Sequence, residues 1–169
     1  MPHDLFEVLD NFLTLLAVFV PTPSFGGEKL RELPLSEMVS RADIVILGKV
    51  MRIEKSVTPG RPAESVFDEV GVATVDIEQV IIGSYEGKEI DITYYPRLTF
   101  EGHFGIDERC ILFLMGQRNV VVHGCAGKIP IERDSAEVRY ILGEPTRQTM
   151  KAFIERIRTL KSPQEQVRD

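Results

Sequence analysis

The chain has 169 residues, 43% of them hydrophobic and 27% charged, with ten prolines and thirteen glycines. A chain of this kind can bury roughly 70% of its unfolded surface in one core, which excludes a disordered chain, a collagen-like chain and a disulfide-dense miniature scaffold. The formal net charge of −6 excludes a polybasic nucleic-acid binder of the histone kind, whose affinity rests on Lys and Arg against phosphates.

Residues 1–27 read as an apolar leader. No Lys or Arg precedes Lys29, whereas Asp4, Glu7 and Asp10 do. Phe12 to Val20 (FLTLLAVFV) is too short to cross a bilayer and has the length of a signal-peptide core. Pro21 to Ser24 break any helix there, and Ser24 with Gly26 puts small residues at the −3 and −1 positions of a cut before Gly27. Two readings stand. Either the leader is a signal peptide or its remnant, without the basic start such signals carry, or it is an amphipathic helix docked on the body with Leu5, Leu9, Leu13 and Leu16 along one face. The first puts the protein outside the cytoplasm, secreted, periplasmic or at the cell surface; the second leaves it cytoplasmic.

Residues 28–169 read as one domain. Leu33 to Arg41 predicts a short helix with Pro34 at its entry, Ser36 as its cap and Leu35, Met38 and Val39 facing inward. Ile44 to Glu54 (IVILGKVMRIE) predicts a strand that is polar on neither side, with Gly48 as the place where it bends to serve both halves of a small barrel. An exposed loop over Ser56 to Ser65 follows. Ala73, Val75 and Ile77 then alternate with Thr74, Asp76 and Glu78 in a half-buried strand pattern. Gly83 to Gly87 is a turn, and Lys88 to Tyr95 predicts a third strand with Ile90, Ile92 and Tyr94 on one face.

Pro96 to Ile106 is a loop, and Arg109 to Met115 (RCILFLM) has the continuous apolar run of a strand covered on both faces. Val120 to His123 returns from it, and Gly127 to Ile131 is a last edge piece in which Pro130 is tolerable. A helix from Pro145 to Lys161 closes the chain, with Met150, Phe153, Ile154, Ile157 and Leu160 in helical spacing. The expected fold is mainly β: a closed five-stranded OB-like barrel between a short N-terminal helix and a C-terminal amphipathic helix. An α/β sheet would need crossover helices that the pattern lacks.

The order of Ala42 to Val50 (ADIVILGKV), Ala73 to Gly83 (ATVDIEQVIIG), Ile111 to Leu114 (ILFL) and Gly127 to Ile131 (GKIPI) resembles that of uncharacterised bacterial exported proteins with an OB-type barrel. That barrel is related in shape to the tissue inhibitors of metalloproteinases and to netrin modules. The resemblance runs over residues 33–135 and implies export and a binding role, with no catalytic residue carried across. It also implies a turn glycine at position 107 and an aromatic at position 110, where this chain has Asp107 and Cys110.

Several constellations bear on chemistry. If the strand pair folds at Gly116 to Asn119, Cys110 lies opposite Cys125 at the separation of a cross-strand disulfide; the alternative is two buried thiols. His103 and His123 would complete a two-Cys, two-His set, but the spacing is no zinc signature, and no metal or other cofactor is expected. Gly83 to Glu89 (GSYEGKE) is one residue short of a phosphate loop, and Glu89 stands where the magnesium-binding Ser or Thr belongs. No strand-to-helix serine elbow exists, and Asp68, Glu69 and Glu78 read as scattered surface carboxylates, so no enzyme is expected.

Tyr94, Tyr95, Phe100, His103 and Phe104 crowd around one loop, either as a recognition surface or as a plug for the barrel end. Arg147, Lys151, Arg156, Arg158 and Lys161 against Glu155 make the last helix basic, a solvated outer face or a site for anionic lipid or nucleic acid. The expectation is a non-enzymatic extracytoplasmic binding module for a protein partner or a second copy, with no transmembrane span. A single-stranded nucleic-acid binder with Tyr94, Tyr95 or Phe104 as stacking platforms is the alternative, followed by a metal-binding protein.

Overall fold

The computed structural model describes residues 32–57, 69–96, 103–116, 119–122 and 124–165. The leader, Phe100 and His123 lie outside these residues. In chain order the elements are β1 (Leu33–Pro34), α1 (Leu35–Arg41), β2 (Ile44–Val57), β3 (Glu69–Ile82), β4 (Glu89–Tyr94), β5 (Arg109–Met115) and β6 (Val120–Val121). They continue with β7 (Lys128–Glu132), β8 (Ser135–Glu137), β9 (Ile141–Leu142), β10 (Arg147–Thr149) and α2 (Met150–Glu165). Among the described residues the fold is mainly β with two α-helices. Its main sheet is open, in the order β10-β8-β7-β5-β2-β3-β4 with β6 on β5, while β1 and β9 pair separately and in parallel.

β2 organises the sheet, because it takes β3 on one edge and β5 on the other. Its ladder with β3 is irregular at Val45/Ile46, Leu47/Gly48 and Val50/Arg52. Gly48 sits at the second of these, where a Cβ would lie 2.5 Å from Val75 Cγ1 and 2.6 Å from the Asp76 carbonyl oxygen. Only glycine lets the two backbones come so close. Beyond the third irregularity the faces exchange: Ile53 shares sequence parity with Val45 and Leu47, yet packs with Ile46 and Val50. The sheet curls until β4 lies beside β6 without a ladder, and Asn119 Nδ2 donates across the gap to the Asp91 carbonyl at 3.2 Å.

β5 is covered on both faces, as its composition predicts. Ile111 and Phe113 join Val45 and Leu47 beneath Met38 and Val39 of α1 and Phe153, Ile154 and Ile157 of α2. Cys110, Leu112 and Leu114 point the other way, into the curl, among Ile46, Val50, Val75, Ile90 and Ile92.

The second half departs from the expected five strands. Gly127 to Ile131 is not a last edge piece, since β7 lies between β5 and β8. Pro130 is accommodated there because the ladder to β8 begins only at Ile131. Arg133 and Asp134 make the β7–β8 turn with φ of 48° and 65°, the paired left-handed residues of a tight hairpin. The turn is braced by tertiary bonds: the Asp134 carbonyl accepts from Met150 N–H at 2.8 Å, and its carboxylate lies 3.3 Å from Arg109 Nη1.

Both helix starts are also corrected. α1 enters from the extended Pro34, and Ser36 lies inside the helix rather than capping it. α2 begins at Met150 rather than Pro145, because Arg147 to Thr149 pair with β8 first. Thr149 Oγ1 then caps it by accepting from Ala152 N–H at 3.3 Å.

Candidate functional site

Lys128 opens β7 opposite Leu112, and that register carries a cation into the interior. Lysine is almost never buried without a partner, and its side chain here is only 7% exposed. The ammonium lies 2.7 Å from Glu108 Oε2, donates to the His103 carbonyl and sits 5.0 Å from the centroid of the Phe104 ring. Glu108 Oε2 also accepts from Gly105 N–H at 2.9 Å. One buried ion pair thereby fixes the whole turn from His103 to Glu108.

Asp107 in that turn has φ of 65°, the left-handed conformation that explains why the resemblance implies glycine there. Its N–H donates to the Val50 carbonyl at 2.9 Å and its carboxylate holds Lys49 at 2.7 Å. The bond to Asp107 raises the Lys49 pKa.

The structure brings Tyr94 and Phe104 together, with ring centroids 5.1 Å apart at a 56° tilt. Both rings are turned inward, 5% and 9% exposed. Tyr94 lies across from Gly71, where a Cβ would come within 2.4 Å of its ring. Burial, and then the charge of Glu69, raises the Tyr94 pKa. Tyr95 is half-buried and His103 exposed. A ring buried in this way has no open face on which a base can stack.

On the other side of the Glu108–Lys128 pair opens a cleft of about 260 Å³, rimmed by Glu132, Glu137, Arg139 and Tyr140. Glu137 holds Arg147 at 2.6 Å and Arg139 at 3.7 Å. The Tyr140 ring stands 41% exposed at the edge. The result is a concave surface with a neutralised floor, a rim of both charge signs and one aromatic edge.

No protein-family model and no curated protein matches the chain. The cleft has no motif by which sequence reasoning finds it, because its lining comes from separate stretches joined only by the β5–β7–β8 ladders. The nearest cue was the resemblance's departure at Asp107, one residue before Glu108.

The expected Cys110–Cys125 bridge is corrected. Cys110 faces Pro130 and is a free, buried thiol, while Cys125 falls in a single 3-10 turn, Gly124–Gly127. The hairpin starts as expected, with Leu114 opposite Val121, but the turn holds five extra residues before β7 rejoins β5. Burial and then the charge of Glu108 push the Cys110 pKa up to about 12, with Lys128 pulling the other way.

Among the described residues no group of three or more His, Cys, Asp and Glu is arranged to hold a metal ion. No helix among them is long and apolar enough to cross a membrane. The basic row of the last helix is partly spoken for: Arg147 belongs to β10 and binds Glu137, Arg156 lies 3.6 Å from Glu144, and Arg158 lies 2.8 Å from Glu155.

Proposed function

We propose that the chain is a non-enzymatic binding module that works outside the cytoplasm and receives a protein partner at the cleft beside Lys128. The observation that carries this reading is the cleft's chemistry. Tyr and Arg are the side chains that interfaces favour as anchors, and here exposed Tyr140 and Arg139 stand over a floor whose charges are already paired. Such a floor can be covered without leaving an uncompensated charge.

The curled sheet is read as an OB-type barrel with its seam between β4 and β6, akin to netrin-like modules. Supporting this are the sharing of β2 between β3 and β5 and the Asn119–Asp91 bond at the seam. The location rests on the apolar leader and the small residues before Gly27.

Affinity capture from an extracytoplasmic fraction tests the reading, with the wild-type protein beside a Tyr140→Ala/Arg139→Glu variant. The expected result is a partner whose recovery falls roughly tenfold or more in the variant. Equal recovery by both proteins, or recovery of the protein from the cytosol alone, overturns it.

A further inference from the structure

Four charges beside the cleft are linked in series. Arg139 Nη2 lies 3.7 Å from Glu137 Oε2, Glu137 Oε1 lies 2.6 Å from Arg147 Nη2, and Arg147 Nη2 lies 3.6 Å from Glu132 Oε2. Arg147 and Glu137 are cross-strand neighbours, and theirs is the short contact. The outer two contacts are too long for hydrogen bonds, and the groups at the ends, Arg139 and Glu132, are both 65% exposed. The series is neutral as a whole but has a positive end and a negative end. Either end can turn to a new partner while Glu137 and Arg147 still hold each other. Next to the positive end, Tyr140 and Leu142 flank the buried Ile141 and stand 41% and 55% exposed, and Leu142 is paired with the exposed Pro34.

We infer that the partner at the cleft is a second copy of this chain, bound about a two-fold axis. This rests on the reading of the cleft as a binding site and names its occupant. In a two-fold interface residue i meets j and j meets i, so the charge series of one copy runs reversed against that of the other. Arg139 of each copy then meets Glu132 of its mate, and the contact is made twice. A rim of one sign would repel its own copy; a series with opposite ends is complementary to itself. Tyr140 and Leu142 supply the apolar and aromatic surface that the centre of such an interface needs. The patch is small, so the dimer is a reversible one governed by concentration.

The test is sedimentation equilibrium of the full chain at low salt, with circular dichroism to show that each variant is folded. The wild type is expected to dimerise with rising concentration, and less so as salt screens the rim. Arg139→Glu and Glu132→Arg are each expected to weaken the dimer by roughly tenfold or more, because each places like charges opposite one another at both contacts. Mixed together, the two variants are expected to associate again, one copy of each, since both contacts then join opposite charges; native mass spectrometry reads the mixed species. Leu142→Ser, which changes no charge, is expected to weaken the dimer and is not restored by mixing. A wild type that stays monomeric, a dimer that neither charge reversal weakens, or a mixture that stays monomeric overturns the inference. If the chain is monomeric while capture of a different protein depends on Tyr140 and Arg139, the second copy fails and the cleft stands as a partner site. If neither self-association nor capture responds to the cleft variants, both readings fall.

Discussion

At Cys110 the thiol has no exposed surface and is packed with Ile46, Val50 and Leu112, so ionising it means placing a charge among hydrocarbon. Its folded pKa of about 12 exceeds the 9.0 of a free thiol. Below pH 9 the group is protonated in both states and stability is intact; above it the unfolded chain gives up the proton first, and stability falls as pH rises toward 12. Tyr94, also raised by burial, works in the same direction. Denaturant midpoints are expected to drop between about pH 9 and 11, and less steeply in Cys110→Ala. At about pH 8, Cys110 is expected to resist iodoacetamide until the protein is unfolded, as mass spectrometry of the labelled peptide reads. Rapid native alkylation would contradict the burial. The sequence made this thiol a bridging cysteine because hairpin counting assumes an uninterrupted ladder, and the Gly124–Gly127 turn interrupts it.

At the scale of elements, Gly48 is a place in β2 where even the smallest side chain does harm. An added methyl would meet the Asp76 carbonyl and Val75, and backbone cannot swing aside as a long side chain can. Gly48→Ala is expected to lose about 2 kcal/mol in equilibrium unfolding; an unchanged midpoint would mean that the bulge does not depend on the close approach.

The same scale shows what the sequence makes legible. Ile90, Ile92 and Tyr94 alternate and are buried together, and Leu35, Met38 and Val39 fall on the inner side of α1 as their spacing says. β8, β9 and β10 are two or three residues long, too short for any period to register. The β7–β8 hairpin turns on Arg133 and Asp134 rather than on the Asn-Gly or Asp-Gly pair that signals such a turn. The start of α2 escapes the sequence for a related reason: Pro145 is a sound entry signal locally, but pairing with β8 claims Arg147 to Thr149.

For the whole molecule, the decisive fact is that two apolar clusters share β2 and β5, whose alternate residues belong to opposite clusters. Neither cluster can loosen without moving strands that build the other, and this predicts one cooperative transition. Phe153→Ala, which empties a fully buried site on the helix side, is expected to cost about 3–5 kcal/mol. Unfolding followed by far-UV circular dichroism and by tyrosine fluorescence, where Tyr94 reports from the inner cluster, should keep a common midpoint. Two separated midpoints would show the clusters to be independent. The cleft was illegible from sequence because it exists only at this scale. Lys128 reads as an ordinary surface lysine until β5 and β7 are paired, and Glu108 until the Gly105–Glu108 turn closes.

A strand with one solvent face resists slipping by a single residue, because the slip would expose its apolar side. β5 lacks that safeguard: from Cys110 to Leu114 every residue is buried, so a slip would merely exchange one hydrocarbon surface for another. Its alignment must be specified by polar groups at the two ends. At one end Arg109 grips both carboxylate oxygens of Glu78, with Nε at 2.8 and 3.0 Å and Nη2 at 2.6 Å. At the other, Asp43 donates its N–H to the Leu114 carbonyl at 2.9 Å and accepts from Gly116 N–H at 2.7 Å. This apolar strand thus owes its position to a few charged and polar atoms just outside its apolar run.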